Sequence, residues 1–549
     1  MPPSPTEPGR AGPAERVSRA FETLGIELEH APIVEAEAAA WRERPGLDDP
    51  ALEDLGAVPF VTVDNPGSRD LDQALHLERD GAGYRLRYAL ADAAHFVRPG
   101  TALFDAALAR GATYYAPGRV APMLPRVLSE DLVSLGPGVP RRALVFDLRL
   151  DADARVLAVQ VLRARVESRA RLTYRGVQAF LEGKARADEP IEDAWAPGLE
   201  LLREVGTRLV ALARARGVVA FDRREADVVV AGEPSRLVAR ERERLDVEEW
   251  NAQLSLLCNR EGATLLAGLD TARDSSGGTL QPIYRVHDAP LPGRLRELRL
   301  RLDAWVALGE YGDAWRWHDG QTLAEYVDAL PDAPRDAGRV RAVQRQVLMV
   351  QRASEFRSEP GPHHALAVEG YARFSSPMRE VVGIFLHKEL IEALSGRSVP
   401  DVALQAAVVE SANAAGRRQK ALDKAIGFEV IADLLESDLE REPVPSRAGT
   451  VLGLREGSAE RGGHLYVGLD ELALELKVYA EDLERRHGTP YTIEALRAVP
   501  DDPAKPAFLL GDAVAVRAAG YDPERERFML DASPRGEAAR RERRRARPG

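Results

Sequence analysis

The stretch Phe60–Leu75, FVTVDNPGSRDLDQAL, places the carboxylates of Asp64, Asp70 and Asp72 within nine residues around a Pro-Gly turn. The run FVTVD before the turn is typical of a β-strand, so the three carboxylates are predicted to converge on the loop that follows it. Hard divalent cations such as Mg²⁺ prefer oxygen ligands and retain bound waters, which would suit metal-assisted phosphodiester cleavage. Because Asp is also common in turns, the pattern alone favours an ordinary turn over a metal site.

The sequence downstream of this loop predicts a mixed sheet followed by long helices. Two apolar-alternating runs flank a glycine-containing turn at Asp80 to Gly83, and a second strand pair flanks the turn at Asp151 to Ala154. Helical periodicity dominates 199–217 and 247–269. We therefore expect an α+β domain, with a mixed sheet and surrounding helices, over residues 55–440.

The sequence pattern changes near residue 441 from long helical stretches to short strands. The short strands AGTVLGL, HLYVGL, DAVAVRAAGYD and RFMLDA are separated by turns over about ninety residues. This spacing predicts a small all-β OB barrel at 441–532. Residues 1–54 are expected to be a disordered and helical N-terminal segment, and 533–549 a disordered basic tail.

Composition limits the classes of function. Apolar residues make up 45% and charged residues 30%, as in folded proteins of the aqueous phase. The single cysteine, Cys258, allows no internal disulfide, and no apolar run is long enough for a signal peptide or a membrane span, so we expect a cytoplasmic protein that contacts no membrane. The net charge of −12 argues against indiscriminate coating of nucleic acid, although residues 535–549 hold seven Arg and two Glu.

Beyond these patterns, the sequence resembles the RNB catalytic domain of the ribonuclease II and ribonuclease R exoribonucleases. The resemblance starts in VTVDNPGSRDLDQAL and RLRYALADAAHFVRPG and continues through RARLTYRGVQAFL, RGVVAFDRREADVVV, DVEEWNAQLSLLCNREGATLL, PIYRVHDAP and EPGPHHALAVEGYARFSSPMRE, in family order. It covers roughly residues 55 to 435, and the terminal barrel is similar to the family's S1-type OB domain. A resemblance of this extent overturns the ordinary-turn interpretation of the aspartates.

The resemblance implies a catalytic set. Asp64, Asp70 and Asp72 match the family's first three acidic positions, which bind Mg²⁺ and organise the attacking water, with Asp72 the most important for catalysis. Arg379, in SSPMRE, matches the arginine that contacts the scissile phosphate, for which a planar guanidinium is well suited. Gln73 stands where the family usually has a fourth Asp; its carbonyl oxygen remains a possible metal ligand without charge.

The resemblance also implies RNA-binding residues. Tyr115, in TYYAPG, and Phe221, in VAFD, match aromatic positions that stack on bases, which serves any base sequence. Asp423, in ALDKAIG, matches a family Glu near the active site, with a shorter side chain. His387 falls where the family has His.

Several positions depart from the family pattern. Arg379 is followed by Glu380 and Val381 where the family reads Arg-Tyr, and Gly383 stands where the family has an Asp after SPI. The two cold-shock OB domains that normally precede the catalytic domain are also not found ahead of the aspartates, so the sequence is interpreted as a short form of the family.

The sequence as a whole predicts a Mg²⁺-dependent hydrolytic exoribonuclease, with Mn²⁺ as the other candidate metal, that degrades single-stranded RNA from 3′ to 5′ into nucleoside 5′-monophosphates. We expect it to act as a monomer. One alternative, motivated by Gln73 and the residues after Arg379, is an RNA-binding protein that keeps the fold without turnover. Another is a nuclease acting on DNA or on a specialised small RNA.

Overall fold

The described part of this computed structural model contains thirteen α-helices, which range from 4 to 38 residues in length. The structure describes residues 11–184, 191–221, 224–273, 280–396, 400–458 and 462–536. The α-helices assigned in these ranges are Pro13–Thr23 (α1), Pro32–Ala40 (α2), Ala93–Phe96 (α3), Ala102–Arg110 (α4), Tyr174–Leu181 (α5), Ala196–Ala215 (α6), Asp246–Arg273 (α7), Pro292–Gly309 (α8), Leu323–Asp328 (α9), Ala337–Val350 (α10), Val381–Leu394 (α11), Val402–Leu439 (α12) and Ala480–His487 (α13). Leu128–Leu132 forms a π-helical turn, and short 3-10 turns occur at Asp313–Trp315, Pro334–Asp336 and His364–Leu366.

The strands fall into two groups, one before α5 and one after α12, with short pairs between them. Their bounds are Glu53–Asp54 (β1), Phe60–Asp64 (β2), Gln73–Asp80 (β3), Gly83–Ala91 (β4), Tyr114–Ala116 (β5), Arg119–Ala121 (β6), Pro140–Leu150 (β7), Val156–Thr173 (β8), Glu225–Ala231 (β9), Arg236–Arg242 (β10), Tyr284–Val286 (β11), Glu355–Arg357 (β12), Arg447–Arg455 (β13), His464–Leu469 (β14), Glu475–Tyr479 (β15), Tyr491–Ile493 (β16), Arg497–Pro500 (β17), Phe508–Leu509 (β18), Ala513–Asp522 (β19) and Arg527–Pro534 (β20).

The large sheet closes on itself through its longest strand. Its order is β1-β8-β2-β3-β4-β7, and β8 also pairs with β7. The first part of β8 pairs antiparallel with β7, and its last residues, up to Thr173, pair parallel with β2 up to Asp64. The two predicted hairpins, β3–β4 and β7–β8, are confirmed by their register. The end of β2, where Asp64 lies, is thereby held between β3 and β8.

The core of the large domain fills the space between this sheet and the helices behind it. Its fully buried side chains include Tyr88 and Leu90 of β4, Phe146 of β7, Phe374, and Phe385 of α11. Cys258 of α7 is buried in the same cluster. The aspartates therefore project from the rim of a close-packed sheet.

The second group of strands forms the small β unit. Its five-stranded sheet has the order β15-β14-β13-β19-β20, and β16, β17 and β18 form a further sheet beside it. The structure confirms the predicted α+β class, in which a mixed sheet with surrounding helices is followed by a β-rich OB-type region. Pattern reasoning found β13, β14, β19 and β20 but not the short strand β15 or α13.

The N-terminal helix packs on the long helix that precedes the small β unit. Helix α1 packs on α12, where Arg16 donates to Glu429 and to Asp433. The predicted domain limit after residue 440 stays a prediction, although α12 ends at Leu439 and β13 begins at Arg447. Residues 1–10 of the predicted N-terminal segment, and residues 537–549 of the predicted basic tail, lie outside the described ranges. Among the helices that are described, none combines the length and apolar character needed to cross a membrane.

Candidate active site

The loop from Asp64 to Asp72, here called the aspartate loop, starts with a tight turn. The Ser68 N–H donates to the carbonyl of Asn65 at 3.2 Å, and Gly67 adopts φ +84°. The positive φ at the third position of such a turn favours Gly, and Pro at the second position is common because its ring fixes φ near −65°. Asp64 Oδ1 accepts from the Asn65 N–H at 2.7 Å and from the Ser68 hydroxyl at 3.1 Å. The turn therefore fixes the Asp64 carboxylate at the end of β2.

A single buried serine holds the second half of the aspartate loop. The Ser134 hydroxyl donates to the carbonyl of Arg69 at 2.6 Å and accepts from the N–H of Leu71 at 3.0 Å. Leu71 is buried, and its carbonyl accepts from the N–H of Leu135. The Ala91 N–H also donates to the carbonyl of Asp72, which ties the loop to β4. These bonds fix the backbone on both sides of Asp70.

A second loop, Phe374–Glu380, here called the arginine loop, faces the aspartate loop. Asn259 of α7 is buried beneath it: its Oδ1 accepts from the N–H groups of Phe374 and Ser375, and its amide donates to the Ser375 and Tyr371 hydroxyls. His387, which is fully buried on α11, donates through Nε2 to the carbonyl of Phe374 at 3.0 Å. The arginine loop is thus held by side chains of α7 and α11.

The two loops meet at Asp72. Its side chain is buried; Oδ1 accepts from the Met378 N–H at 2.9 Å, and Oδ2 forms an ion pair with Nε of Arg379. Burial raises the pKa of Asp72 to about 6, against the opposing effect of Arg379. The Asp72 carboxylate in turn raises the pKa of Arg379 above its ordinary value. Residues 307 positions apart in the sequence therefore form one charged unit.

Asp70 lies at the open side of this unit. The Tyr115 hydroxyl donates to Asp70 Oδ2 at 3.4 Å. Burial raises the pKa of Asp70; the carboxylate of Asp64 adds to this effect and Arg379 opposes it. Tyr115 is 44% exposed, so its ring is available to a ligand beside the carboxylates. The structure brings together Asp64, Asp70, Asp72, Arg379 and Tyr115.

Asp423 is connected to this group through Gln419. The Tyr115 N–H donates to Gln419 Oε1 at 3.1 Å, and Gln419 Nε2 donates both to the Tyr115 carbonyl and to Asp423 Oδ1. Asp423 is exposed on α12. The side chain of Gln419 therefore places Asp423 next to Tyr115.

Two other positions show how the departures from the family pattern are accommodated. Gln73, the first residue of β3, accepts through Oε1 from the Tyr88 hydroxyl at 2.6 Å. Glu380 pairs with Arg373 at 3.0 Å. The assignment of Gln73 as a metal ligand stays a prediction, and here its oxygen is engaged by Tyr88.

Phe221 lies in a different part of the core. It is partly buried and packs against the cluster formed by α8, α9 and α10, which includes Leu298 and Trp305, together with Leu510 of the small β unit. Its assignment to base stacking stays a prediction.

Pattern reasoning missed Ser134, Asn259 and Gln419, which position the predicted catalytic and RNA-binding residues without belonging to that set. Asn259 left one signal in the sequence, because it follows Leu254, Leu257 and Cys258 on the buried face of a helix. A polar side chain at such a position is hydrogen-bonded in nearly all proteins. Ser134 and Gln419 left no comparable signal.

The donor chemistry of the site fits a hard divalent cation at Asp64 and Asp70. Both side chains offer carboxylate oxygens, and the repulsion between them, which contributes to the raised pKa of Asp70, is what a cation would relieve. Both oxygens of Asp72 are already bonded to the arginine loop. Within the described ranges, no three His, Cys, Asp or Glu side chains are arranged as a complete metal-binding group.

Comparison with known proteins places this geometry in a family. The model of the RNB domain matches residues 52–396. The chain belongs to the RNB family. It is 31% identical over 341 residues to ribonuclease R of Escherichia coli strain K12, covering 61% of this chain and 40% of that protein. It is 31% identical over 350 residues to exoribonuclease 2 of Cronobacter sakazakii, covering 63% of this chain and 51% of the relative. The chain therefore spans about half or less of the length of these two RNB relatives.

A solved structure shows the same fold. The structure of Mycoplasma genitalium RNase R in complex with ribose methylated single-stranded RNA superposes with a TM-score of 0.81 at 18% identity, over 96% of this chain and 79% of that chain. The RNase R-like fold of the RNB family thus extends over nearly all of the present chain.

Proposed function

We propose that this protein is a divalent-metal-dependent exoribonuclease that hydrolyses single-stranded RNA from its 3′ end, in the cytoplasm. The observation that carries the proposal is the convergence of Asp64, Asp70 and Asp72 with Arg379 and the exposed ring of Tyr115. Carboxylates, a guanidinium and an aromatic face are the groups that phosphodiester hydrolysis at a strand end requires. Relatives named ribonuclease R and exoribonuclease 2 support this reaction class.

Each side chain has a distinct role in the proposed reaction. Asp64 and Asp70 would hold Mg²⁺ or Mn²⁺, which when bound neutralises charge on the phosphate and lowers the pKa of water. Asp72 keeps the Arg379 guanidinium oriented, and Arg379 spreads the charge that develops on the phosphate oxygens. Tyr115 stacks on a terminal base regardless of its identity. Asp423, beside Tyr115, would contact the strand, and the 2′-hydroxyl would distinguish RNA from DNA.

The arrangement limits how Arg379 can act. Its Nε is engaged with Asp72, so the terminal nitrogens of the guanidinium are the groups left to face a phosphate. An arginine that is already oriented loses little side-chain freedom when the substrate binds, which favours the transition state. Asp72 is thus the residue whose loss should affect turnover more than binding.

A second candidate function is RNA binding without turnover. It is favoured by the engagement of Gln73 with Tyr88, because the family's usual fourth carboxylate is replaced by an uncharged group that already has a partner. The two functions differ in what substitution of Asp72 does. An enzyme would lose turnover and keep RNA affinity, whereas a binding module would be indifferent.

The test is a time course with 5′-labelled single-stranded RNA in Mg²⁺, in Mn²⁺ or in EDTA, resolved on a denaturing gel. Wild-type protein should give a metal-dependent ladder that shortens from the 3′ end. Asp72→Asn should reduce the rate by roughly 10³-fold with little change in affinity. Asp105→Asn, an exposed aspartate on α4, is the matched control and should behave as wild type.

Other outcomes identify the competing functions. RNA that stays intact but shifts on a native gel would contradict turnover and support the binding module. Equal digestion of the matching DNA oligomer would contradict the preference for RNA.

A further inference from the structure

The outward face of α12 carries a row of cationic residues that ends in an exposed aromatic ring. Arg417, Lys420, Lys424 and Phe428, here called the α12 stripe, are spaced three or four residues apart, so they share one face of the helix. All four are exposed, and the Phe428 ring is 55% accessible. Lys424 Nζ lies 5.8 Å from the centre of that ring.

The stripe occupies a gap between two covered parts of the helix. On the opposite face, Ala415, Leu422, Ile426 and Val430 are buried against α1, β5, β6 and β10. Before the stripe, Asn413 is bonded to Phe356 of β12. After the stripe, Leu435 and its neighbours are covered by the small β unit. The stripe therefore lies between the contact of α12 with β12 and its contact with the small β unit.

The cations of the stripe differ from most others in this chain. Several of the buried and half-buried arginines elsewhere, such as Arg142 and Arg345, are bonded to carboxylates. Among the described residues, Arg417 and Lys420 have no ion-pair partner, and Lys424 contacts only the Phe428 ring. Only six lysines occur in the whole chain, and two of them lie here four residues apart. Three uncompensated cations on one face, in a chain of net charge −12, favour an anionic ligand.

One residue of the stripe, Lys420, is adjacent in sequence to the residue of α12 that bonds Tyr115. Gln419 bonds to Tyr115 and to Asp423, and Lys420 is the next residue along the helix. Phe428 lies nine residues beyond Gln419, about 14 Å further along the helix axis. Successive residues of an α-helix are about 100° apart, so Gln419 and Phe428 lie on opposite sides of α12. A strand held at Tyr115 would therefore pass Asp423 and Lys420 and turn around the helix to meet the rest of the stripe.

We propose that the α12 stripe is a binding surface for single-stranded RNA upstream of its 3′ end. The inference rests on the proposed function, because it takes Tyr115 as the place where the strand end is held. Lys420, Lys424 and Arg417 contact phosphates, and Phe428 stacks on a base. Neither kind of contact reads base identity or the 2′-hydroxyl, so the surface accepts RNA and DNA strands of any sequence.

The test compares the double variant Lys420→Ala/Lys424→Ala with wild type in EDTA, where hydrolysis does not interfere. The probe is a fluorescent single-stranded oligouridylate, and anisotropy gives Kd between about 50 and 200 mM salt. We expect Kd at the lower salt concentration to rise about tenfold, and the slope of log K against log salt to become shallower by about 1.4, since each phosphate contact on a single strand contributes about 0.7. The matching DNA oligomer should lose affinity by the same factor.

A matched control is Arg294→Ala/Arg296→Ala on α8, which removes the same charge from another exposed helix. This variant should bind the oligouridylate as wild type does. Thermal unfolding of both double variants should match wild type, because the substituted side chains are exposed.

A second variant, Phe428→Leu, tests stacking separately from charge. It should weaken binding about 5- to 150-fold, the range expected for one stacked base, and leave the salt slope unchanged. Leu keeps an apolar side chain of similar size, so the change reports the loss of the ring face.

The outcomes separate this proposal from the proposed function. If the Lys420→Ala/Lys424→Ala and Phe428→Leu variants bind the oligouridylate as tightly as wild type does, the proposal that the stripe binds RNA is contradicted. The exoribonuclease proposal is unaffected by that result. If wild type binds but hydrolyses no RNA in Mg²⁺, and the variants bind less tightly, the stripe is supported and the exoribonuclease proposal fails. If wild type binds no strand at all, both proposals fail.

Discussion

The Asp72–Arg379 pair and the α12 stripe are two charged regions of the molecule, and their charges are balanced in opposite ways. Asp72 is buried and fully bonded to the arginine loop, and the guanidinium of Arg379 is shared between this carboxylate and the site. In the stripe, Lys420 and Lys424 are exposed and have no carboxylate partner among the described residues. The Asp72–Arg379 pair is already oriented without a ligand, whereas the cations of the stripe are available to pair with an anionic ligand.

The difference follows from the residue types. A guanidinium is planar and keeps its direction when one edge is bonded, so Arg379 can be oriented before a substrate arrives. An ammonium on a flexible stem is a mobile point charge, which suits a backbone phosphate that can lie in several registers. A buried pair should therefore control the rate of the reaction, and exposed cations should control affinity and its dependence on salt.

The largest test of this comparison is Arg379→Lys, which keeps the charge and removes the planar fork. We expect kcat on single-stranded RNA to fall roughly 100-fold, because one oriented donor to the phosphate is lost. Arg149→Lys, in the exposed pair with Asp80, is the matched control and should change stability by less than about 0.5 kcal/mol. A rise in KM with unchanged kcat would show that Arg379 controls affinity, as the stripe is expected to do. It would contradict the assignment of rate to the buried pair and of affinity to the exposed cations.

A second test concerns how firmly the arginine loop is built. Asn259→Ala leaves the N–H groups of Phe374 and Ser375 without their buried acceptor, so the free energy of unfolding should fall by about 2–4 kcal/mol. Thr264→Ala, at an exposed position of the same helix, should change it little. Urea unfolding measures both. Equal stability of the two variants would mean that the loop does not depend on this amide.

The smallest effect should come from pH. Burial lowers the pKa of His387 to about 4 in the folded protein, below its unfolded value near 6.5. The unfolded chain therefore takes up a proton first as pH falls, and the stabilisation present above pH 6.5 is lost progressively toward pH 4.

His387→Gln isolates this contribution. Between about pH 7 and 5, the free energy of unfolding of wild type should fall by about 2 kcal/mol more than that of the variant, as measured by urea unfolding at each pH. If the free energies of unfolding of the two proteins change in parallel with pH, this acid sensitivity does not arise from His387.

Local patterns predicted the parts of this molecule that local interactions determine. The β3–β4 hairpin and the turn at Asp64 follow from alternation and from Pro66 and Gly67. The partner of Asp72 could not be found in this way, because Arg379 is brought to it by the packing of α7 and α11, and only the family resemblance pointed to it.

The bonds made by Ser134 and Gln419 depend on tertiary packing alone. Each joins segments that are distant in the sequence, as Gln419 does for Tyr115 at a separation of 304 residues. Residue types at these positions are ordinary surface or loop choices. For the same reason Phe221, singled out by resemblance, could not be placed relative to Asp70 before its packing against α8 to α10 was seen.

The amide groups of α12 have one more consequence, which concerns two short strands. Gln419 bonds both the N–H and the carbonyl of Tyr115, and Asn413 does the same for Phe356. Tyr115 and Phe356 lie in short two-stranded sheets, whose outward backbone groups would otherwise be able to pair with a strand from another molecule. By bonding these groups with its side chains, one helix satisfies the backbone of two short strands while leaving the ring of Tyr115 exposed.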